Sequence, residues 1–190
     1  MDPVLTIVLV VLGIIVFLAL IFFIWYISTV NAFRQMQVKI DESESSIDIA
    51  LTKRFDLLTK MVSATKGYMK HESETLTNVV KMRQPAHNAP MAEKQEFANQ
   101  LSAGLSQLNV VVEQYPDLKA SQNFLSLQNA TTEVEENLQA ARRVYNSNVS
   151  VYNQRIVTFP SSLVAGWKNF TKRDFFEAEA QKRKDVDFNF

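Results

Sequence analysis

Two histidines, His71 and His87, and no cysteine limit the metal and nucleophile chemistry open to this chain. His71 is followed by Glu72, which opens a zinc-protease-type helix motif. That motif needs a second histidine one helical turn later, so that both ligands face the metal while the glutamate acts as base. The residue four after His71 is Thr75, so the second ligand is missing. His87 lies in PAHNAP, a proline-bounded loop at 85–90, and is expected to be solvated. No glycine-rich run offers a phosphate cradle. The carboxylates are mostly interleaved with Lys and Arg, the pattern of a solvated helix face rather than of an acid–base pair. The sequence assigns no catalytic residue, no metal ligand and no cofactor.

The remaining polar chemistry sits inside apolar periodicity. Arg54 and Asp56 flank Phe55, while Glu136, Asn137, Arg142, Arg143 and Asn146 surround Leu138 and Tyr145. Tyr145-Asn146 and Tyr152-Asn153 repeat at an interval of seven, which returns each pair to nearly the same helical face. Buried polar groups cost stability unless bonded, but they can fix helix register. The expectation is a register network joining Arg54 or Asp56 of the first soluble helix to the Arg142–Asn146 region of the fourth. A solvated flank beside an apolar seam accounts for the same pattern.

The element that positions everything else is at the N-terminus. Between Asp2 and Arg34 there is no charged residue, and in 4–27 only Thr6, Gly13, Ala19, Trp25 and Tyr26 are not Val, Leu, Ile or Phe. A helix of that length rises about 36 Å, enough for a hydrocarbon core of about 30 Å. At roughly −0.3 to −0.6 kcal/mol per aliphatic or Phe residue, insertion is favourable by several kcal/mol. A cleaved signal peptide would need a basic start, a shorter core and a small-residue cleavage site. Trp25 and Tyr26 fit the aromatic belt at a membrane interface, with Arg34 beyond it. Arg34 and Lys39 follow the span and no Lys or Arg precedes it, so the N-terminus is expected outside and the rest in the cytoplasm. Residues 1–30 are read as a short extracytoplasmic N-terminus and single-pass anchor.

Residues 31–159 read as helical. Breaks fall at Gly67, 85–90, Pro116 and Pro160. The first segment, 31–66, has apolar spacing of three and four through Phe33, Met36, Ile40, Ser43 and Ile47, then Leu51, Phe55, Leu58, Val62 and Thr65. The fours from Ile47 to Phe55 form a stutter. No breaker separates this segment from the span, so the two are expected to form one rod. A second segment covers 68–84 and a third 92–114. YPD at 115–117 reads as a turn, with Ser121 a candidate N-cap for a fourth segment reaching Phe159. Strand alternation and hairpin turns are missing from the pattern. The fold class is all-α: an N-terminal transmembrane helix followed by a long antiparallel four-helix bundle.

Residues 160–190 read as an amphipathic segment and a flexible tail. Leu163, Trp167 and Phe170 are expected to share a face with lysines nearby, for contact with membrane, bundle or a neighbouring copy. Phe188 and Phe190 form a candidate docking motif in the tail, against the alternative of a frayed end.

Several motifs occur in a recognisable order: KRFDLLTKMV at 53–62, KGYMKHESETL at 66–76, YPDLKASQNFLSLQ at 115–128 and ENLQAARRVYNSNVSVYNQRIVTFPSSLVA at 136–165. With the anchor and the ending Val186-Asp187-Phe188, the chain resembles the LemA family over nearly its whole length. It departs at Thr59, where the family commonly has proline, so a kink in the first helix is not expected. The resemblance implies a four-helix bundle on a single-pass anchor in the bacterial cytoplasmic (inner) membrane, and no enzymatic activity.

Lys and Arg total 20 and Asp and Glu total 20, which leaves no basic footprint for nucleic acid. The expected role is non-enzymatic: a scaffold at the cytoplasmic face of the membrane that contacts lipid and self-associates into a homo-oligomer. The alternative is an adaptor or regulator of another membrane protein, such as a protease or transporter. The anchor carries no GxxxG, so dimerisation through that motif is not expected.

Overall fold

In a computed structural model of the chain, residues 3–66, 68 and 81–177 are described. Among them every regular element is helical: α1 (Pro3–Lys66), α2 (Met91–Glu113), α3 (Pro116–Ala120), α4 (Gln122–Val157) and α5 (Ser161–Trp167). The expected second segment at 68–84 falls mostly outside the described residues, as do His71, Glu72, Phe188 and Phe190. The rod expectation holds: α1 passes from the apolar stretch through Thr59 to Lys66 without interruption. The chain divides into two compact units, one of Met1–Ile40 with Asn148–Arg173, the other of Asp41–Ser147 with Asp174–Phe190. α1 and α4 each contribute to both.

In the first unit, the apolar part of α1 is long and apolar enough to cross a membrane, and none of its most apolar window is buried. Burial begins further along, where Phe33, Ile40, Val149, Tyr152, Val164, Ala165 and Phe170 are all buried. The Phe33 ring stacks on Phe170 at 4.7 Å and meets Tyr152 edge-on at 6.0 Å. Burying rings of this size contributes about 1.5–3 kcal/mol each.

What aims Phe170 inward is the end of α5. Asn169 adopts a left-handed φ of 53°, which its short polar side chain tolerates better than most. The Asn169 N–H then donates to Gly166 O at 3.3 Å and the Phe170 N–H to Ala165 O at 2.9 Å. This is the Schellman pattern, which reverses the chain after a helix and satisfies its last carbonyls. The expected shared face of Leu163, Trp167 and Phe170 is therefore corrected. Leu163 and Trp167 are exposed on α5, whereas Phe170 lies beyond the reversal and is buried.

In the second unit, α1 buries Ile47, Leu51, Leu58, Met61, Val62 and Thr65, and with them Arg54. The sequence spacing places Phe55 in this seam. The structure instead steps three residues from Leu51 to Arg54 and four to Leu58, leaving Phe55 half-buried with its ring 5.8 Å from Phe97. A heptad step is restored one residue earlier than hydrophobicity alone predicts, because Arg54 finds partners. α2 contributes Met91, Lys94, Phe97, Leu101, Gly104, Leu108 and Val112.

The expected turn at 115–117 is a short helix, α3, opened by Pro116 and holding Leu118 in the core. Proline suits this first helical position because no intrahelical partner for its N–H is needed there. Ser121 caps α4 as the sequence predicts, its Oγ accepting from Phe124 N–H at 3.3 Å. α4 buries Phe124, Val134, Leu138 and Tyr145 in this unit. Phe159, expected to end the fourth segment, lies beyond the helix and is exposed.

Candidate functional site

In the first unit the aromatic side chains form two layers. Nearer the N-terminus, Trp25 lies 5.5 Å from Phe22, and the Trp167 ring of α5 lies 6.3 Å from Phe22 and 6.2 Å from Tyr26. The second layer is the buried Phe33, Tyr152 and Phe170 group, which guanidinium groups border. Arg34 sits 5.3 Å from the Phe170 ring centroid and Arg155 sits 6.0 Å from that of Phe33. Such cation–π contacts favour a charge that keeps an aromatic face on one side and solvent or a headgroup on the other. Gln37 Nε2 donates to the Tyr152 hydroxyl at 3.3 Å. Burial pushes the Tyr152 phenol above its ordinary value, an effect that the Gln37 hydrogen bond and the nearby Arg173 and Arg34 charges partly offset.

Extended chain after α5 is held by side-chain amides. In the first unit Asn153 Nδ2 donates to Arg173 O at 2.8 Å while its Oδ1 accepts from Arg173 N–H at 2.9 Å. In the second unit Asn146 does the same for Phe176, at 2.9 Å and 2.8 Å, and the Tyr145 hydroxyl donates to Asp174 O at 2.9 Å. Arg142 lies 4.5 Å from the Phe176 ring centroid. An asparagine side chain matches a peptide group donor for acceptor, so each holds the chain by its backbone. The seven-residue repeat of Tyr-Asn in the sequence supplies one such asparagine to each unit.

The second unit also contains two buried cations. Lys94 Nζ lies 2.8 Å from Glu44 Oε1, 2.8 Å from Asp48 Oδ1 and 2.8 Å from His87 O. Asp48 Oδ2 in turn lies 2.6 Å from His87 Nδ1. An ammonium has three donors, and these oxygens use them all. The arrangement ties the 85–90 loop and α2 to α1. Sequence reasoning missed it, although Lys94 stands three before Phe97 and seven before Leu101, on the buried face, and Glu44 and Asp48 lie one turn apart. The second cation, Arg54, donates to Ala98 O at 3.3 Å and Ser102 Oγ at 3.0 Å and pairs with Glu135 at 2.9 Å. An open groove of about 540 Å³ lies beside it, lined by Ser102, Asn109, Gln128 and Thr131 among others. It presents hydroxyls and amides around a guanidinium already engaged by a carboxylate.

Comparison with known proteins decides the relationship. The LemA family model matches residues 43–190. The chain is 31% identical over 169 residues to Protein LemA of Metamycoplasma hominis, which covers 88% of this chain and 77% of that protein. The chain belongs to the LemA family.

In this LemA-family chain the residues expected to mark the interface lie in one unit: Trp25 and Tyr26 are half-buried and Arg34 is exposed. The expected register network comprises Arg54, Asp56, Arg142 and Asn146. Arg54 reaches α4 at Glu135, Asp56 is exposed, and Arg142 and Asn146 meet Phe176. Of the residues expected to touch membrane or partner, Leu163 and Trp167 are exposed and Phe170 is buried. No group of three or more His, Cys, Asp or Glu placed to hold a metal occurs among the described residues.

Proposed function

We propose that this LemA-family chain is a non-enzymatic, membrane-anchored scaffold, with α1 crossing the bacterial cytoplasmic membrane once and the rest of the chain on the cytoplasmic side. The observation that carries the reading is α1 itself, one unbroken helix whose apolar stretch is exposed and whose continuation forms the seam of both helical units. A chain built in this way tethers whatever binds its helices to a bilayer. Arg34 and Lys39 after the span support the cytoplasmic orientation.

The helices form an antiparallel bundle in this reading. The support is that partner numbers run in opposite senses within each unit. Gln37 meets Tyr152 and Lys39 meets Asn148 in the first, while Arg54 meets Glu135 and Met61 meets Thr131 in the second. Self-association is supported by large apolar residues left exposed away from the span: Val38 and Val151 in the first unit, Ile49 and Val144 in the second. The internal oxygens that engage Lys94 and the terminal nitrogens of Arg54 support a structural rather than a catalytic use of buried charge.

Light scattering of the detergent-extracted full-length protein tests this. A discrete multimer is the expected result. A monomer at every concentration overturns self-assembly and passes the function to the alternative, an adaptor or regulator of another membrane protein.

A further inference from the structure

We propose that the corner joining α4 to α5 is a second membrane contact, seated in the interfacial layer of the same leaflet that α1 leaves. Phe159, Leu163 and Trp167 meet lipid there, and Lys168 faces anionic headgroups. The inference rests on the anchor reading and adds a lipid-binding surface to it. Three observations within the first unit carry it.

The first is depth. Trp167 is in ring contact with Phe22 and Tyr26. These residues lie at the end of the apolar stretch of α1, about 18 Å and about 12 Å of helix before Arg34. If α1 spans, Trp167 lies at their level, because ring centroids 6 Å apart share one layer of the bilayer. Trp25, Tyr26 and Trp167 then form one belt from two segments, at the depth where amphipathic rings are favoured.

The second is exposure. Phe159 is 76% exposed, Leu163 46% and Trp167 59%. Leu163 and Trp167 lie one turn apart on α5, where Val164 and Ala165 supply the buried side. An apolar face beside the end of an apolar span is continuous with the surface that lipid covers.

The third is charge. From Pro3 to Ile40 and from Asn148 to Arg173 there is no acidic residue, while Arg34, Lys39, Arg155, Lys168, Lys172 and Arg173 are basic. Basic residues beside an inserted apolar face are drawn to anionic lipid within a Debye length of the surface. Lys168 follows Trp167 directly and is exposed.

Trp25 and Trp167 are the chain's two tryptophans, so each can be observed alone. The full-length protein carrying Trp25→Phe is reconstituted into vesicles of phosphatidylcholine and phosphatidylglycerol. Spin-labelled lipids then quench Trp167 from a position near the headgroup or deep in the acyl chains, and acrylamide quenches it from water. The expected result is at least about twofold stronger quenching by the shallow label than by the deep one, with weak quenching by acrylamide, as for a ring at the interface. Leu163→Glu in the same background should reduce the lipid quenching while leaving helix content by far-UV circular dichroism unchanged. Free access of acrylamide with no lipid quenching overturns the proposal. So does shielding from both quenchers, which means that protein covers the corner. The Trp167→Phe companion reports Trp25: if lipid fails to quench Trp25, the anchor reading itself falls, and if lipid quenches Trp25 but not Trp167, only the second contact does.

Discussion

Replacing Lys94 with methionine isolates what the second unit draws from its buried ammonium. The side chain is 1% exposed and bridges Glu44 and Asp48, which retain 18% and 19% exposure. Methionine preserves most of the length and apolar volume, so packing changes little. The loss is electrostatic: two carboxylates one helical turn apart remain without their shared cation, and His87 O loses its donor. Breaking a buried ion pair by removing one partner costs about 3–5 kcal/mol. The carboxylates here regain some water, which places the cost near the lower end, about 3 kcal/mol. For a chain of this size each kcal/mol lowers the melting temperature by about 2–4 °C, giving a decrease of about 6–12 °C. Thermal unfolding of the full-length protein in micelles, followed by far-UV circular dichroism, reads it. Adding Glu44→Gln and Asp48→Asn to Lys94→Met removes the stranded charges and should recover most of the loss. A melting temperature unchanged in Lys94→Met, or a triple variant no more stable than the single one, would refute the reasoning that the site is held by charge.

Asn153→Ala removes both hydrogen bonds to Arg173; at about 0.5–1.5 kcal/mol each, exchange of the Arg173 amide should accelerate about fivefold to 150-fold by hydrogen-exchange measurement. An unchanged rate would show that the asparagine does not hold this segment. Tyr152 makes stability depend on alkaline pH. Its folded value lies above the ordinary 10.0, so the protonated phenol is favoured in the fold. Its contribution is complete below about 10 and is lost as pH rises through the folded value. Denaturant titrations at pH 9 and at higher pH should show a smaller alkaline loss in Tyr152→Phe than in the parent; equal losses would assign the pH dependence to other groups.

The continuous α1, the Ser121 cap and most of the core are legible because each depends on local rules: apolar period, breaker residues and capping chemistry. Sequence reading fails where a residue's partner lies on another segment. Arg54 displaces Phe55 from the seam because Ala98, Ser102 and Glu135, all distant in sequence, engage the terminal nitrogens of its guanidinium. Lys94 is hidden for the same reason: a buried ammonium is recognisable only once Glu44, Asp48 and the His87 carbonyl converge on it. Phe170 is a different failure. Helical periodicity carried it past Trp167 onto the face of Leu163, but a left-handed Asn169 reverses the chain, and asparagine is among the few side chains that adopt that conformation readily. The Tyr-Asn repeat was visible as a pattern. Its use, reading the backbone of a later segment, was not, because a backbone partner leaves no mark in the composition.

A net charge of zero conceals a segregated distribution. Every acidic residue except Asp2 falls within 41–147 or 174–190, so the unit containing the apolar stretch is basic. Counted along the sequence, the positive-inside rule finds only Arg34 and Lys39 after the span, and Asp41, Glu42 and Glu44 follow closely. Counted within the folded unit, Arg155, Lys168, Lys172 and Arg173 join them. Orientation is set during insertion by the residues near the span, but retention at an anionic surface depends on charges near it in the folded chain. The return of α4 and α5 to the unit of α1 therefore strengthens the proposed cytoplasmic placement in a way that no window along the sequence could register. It does so through charges that, at their own positions, look like ordinary solvated helix residues.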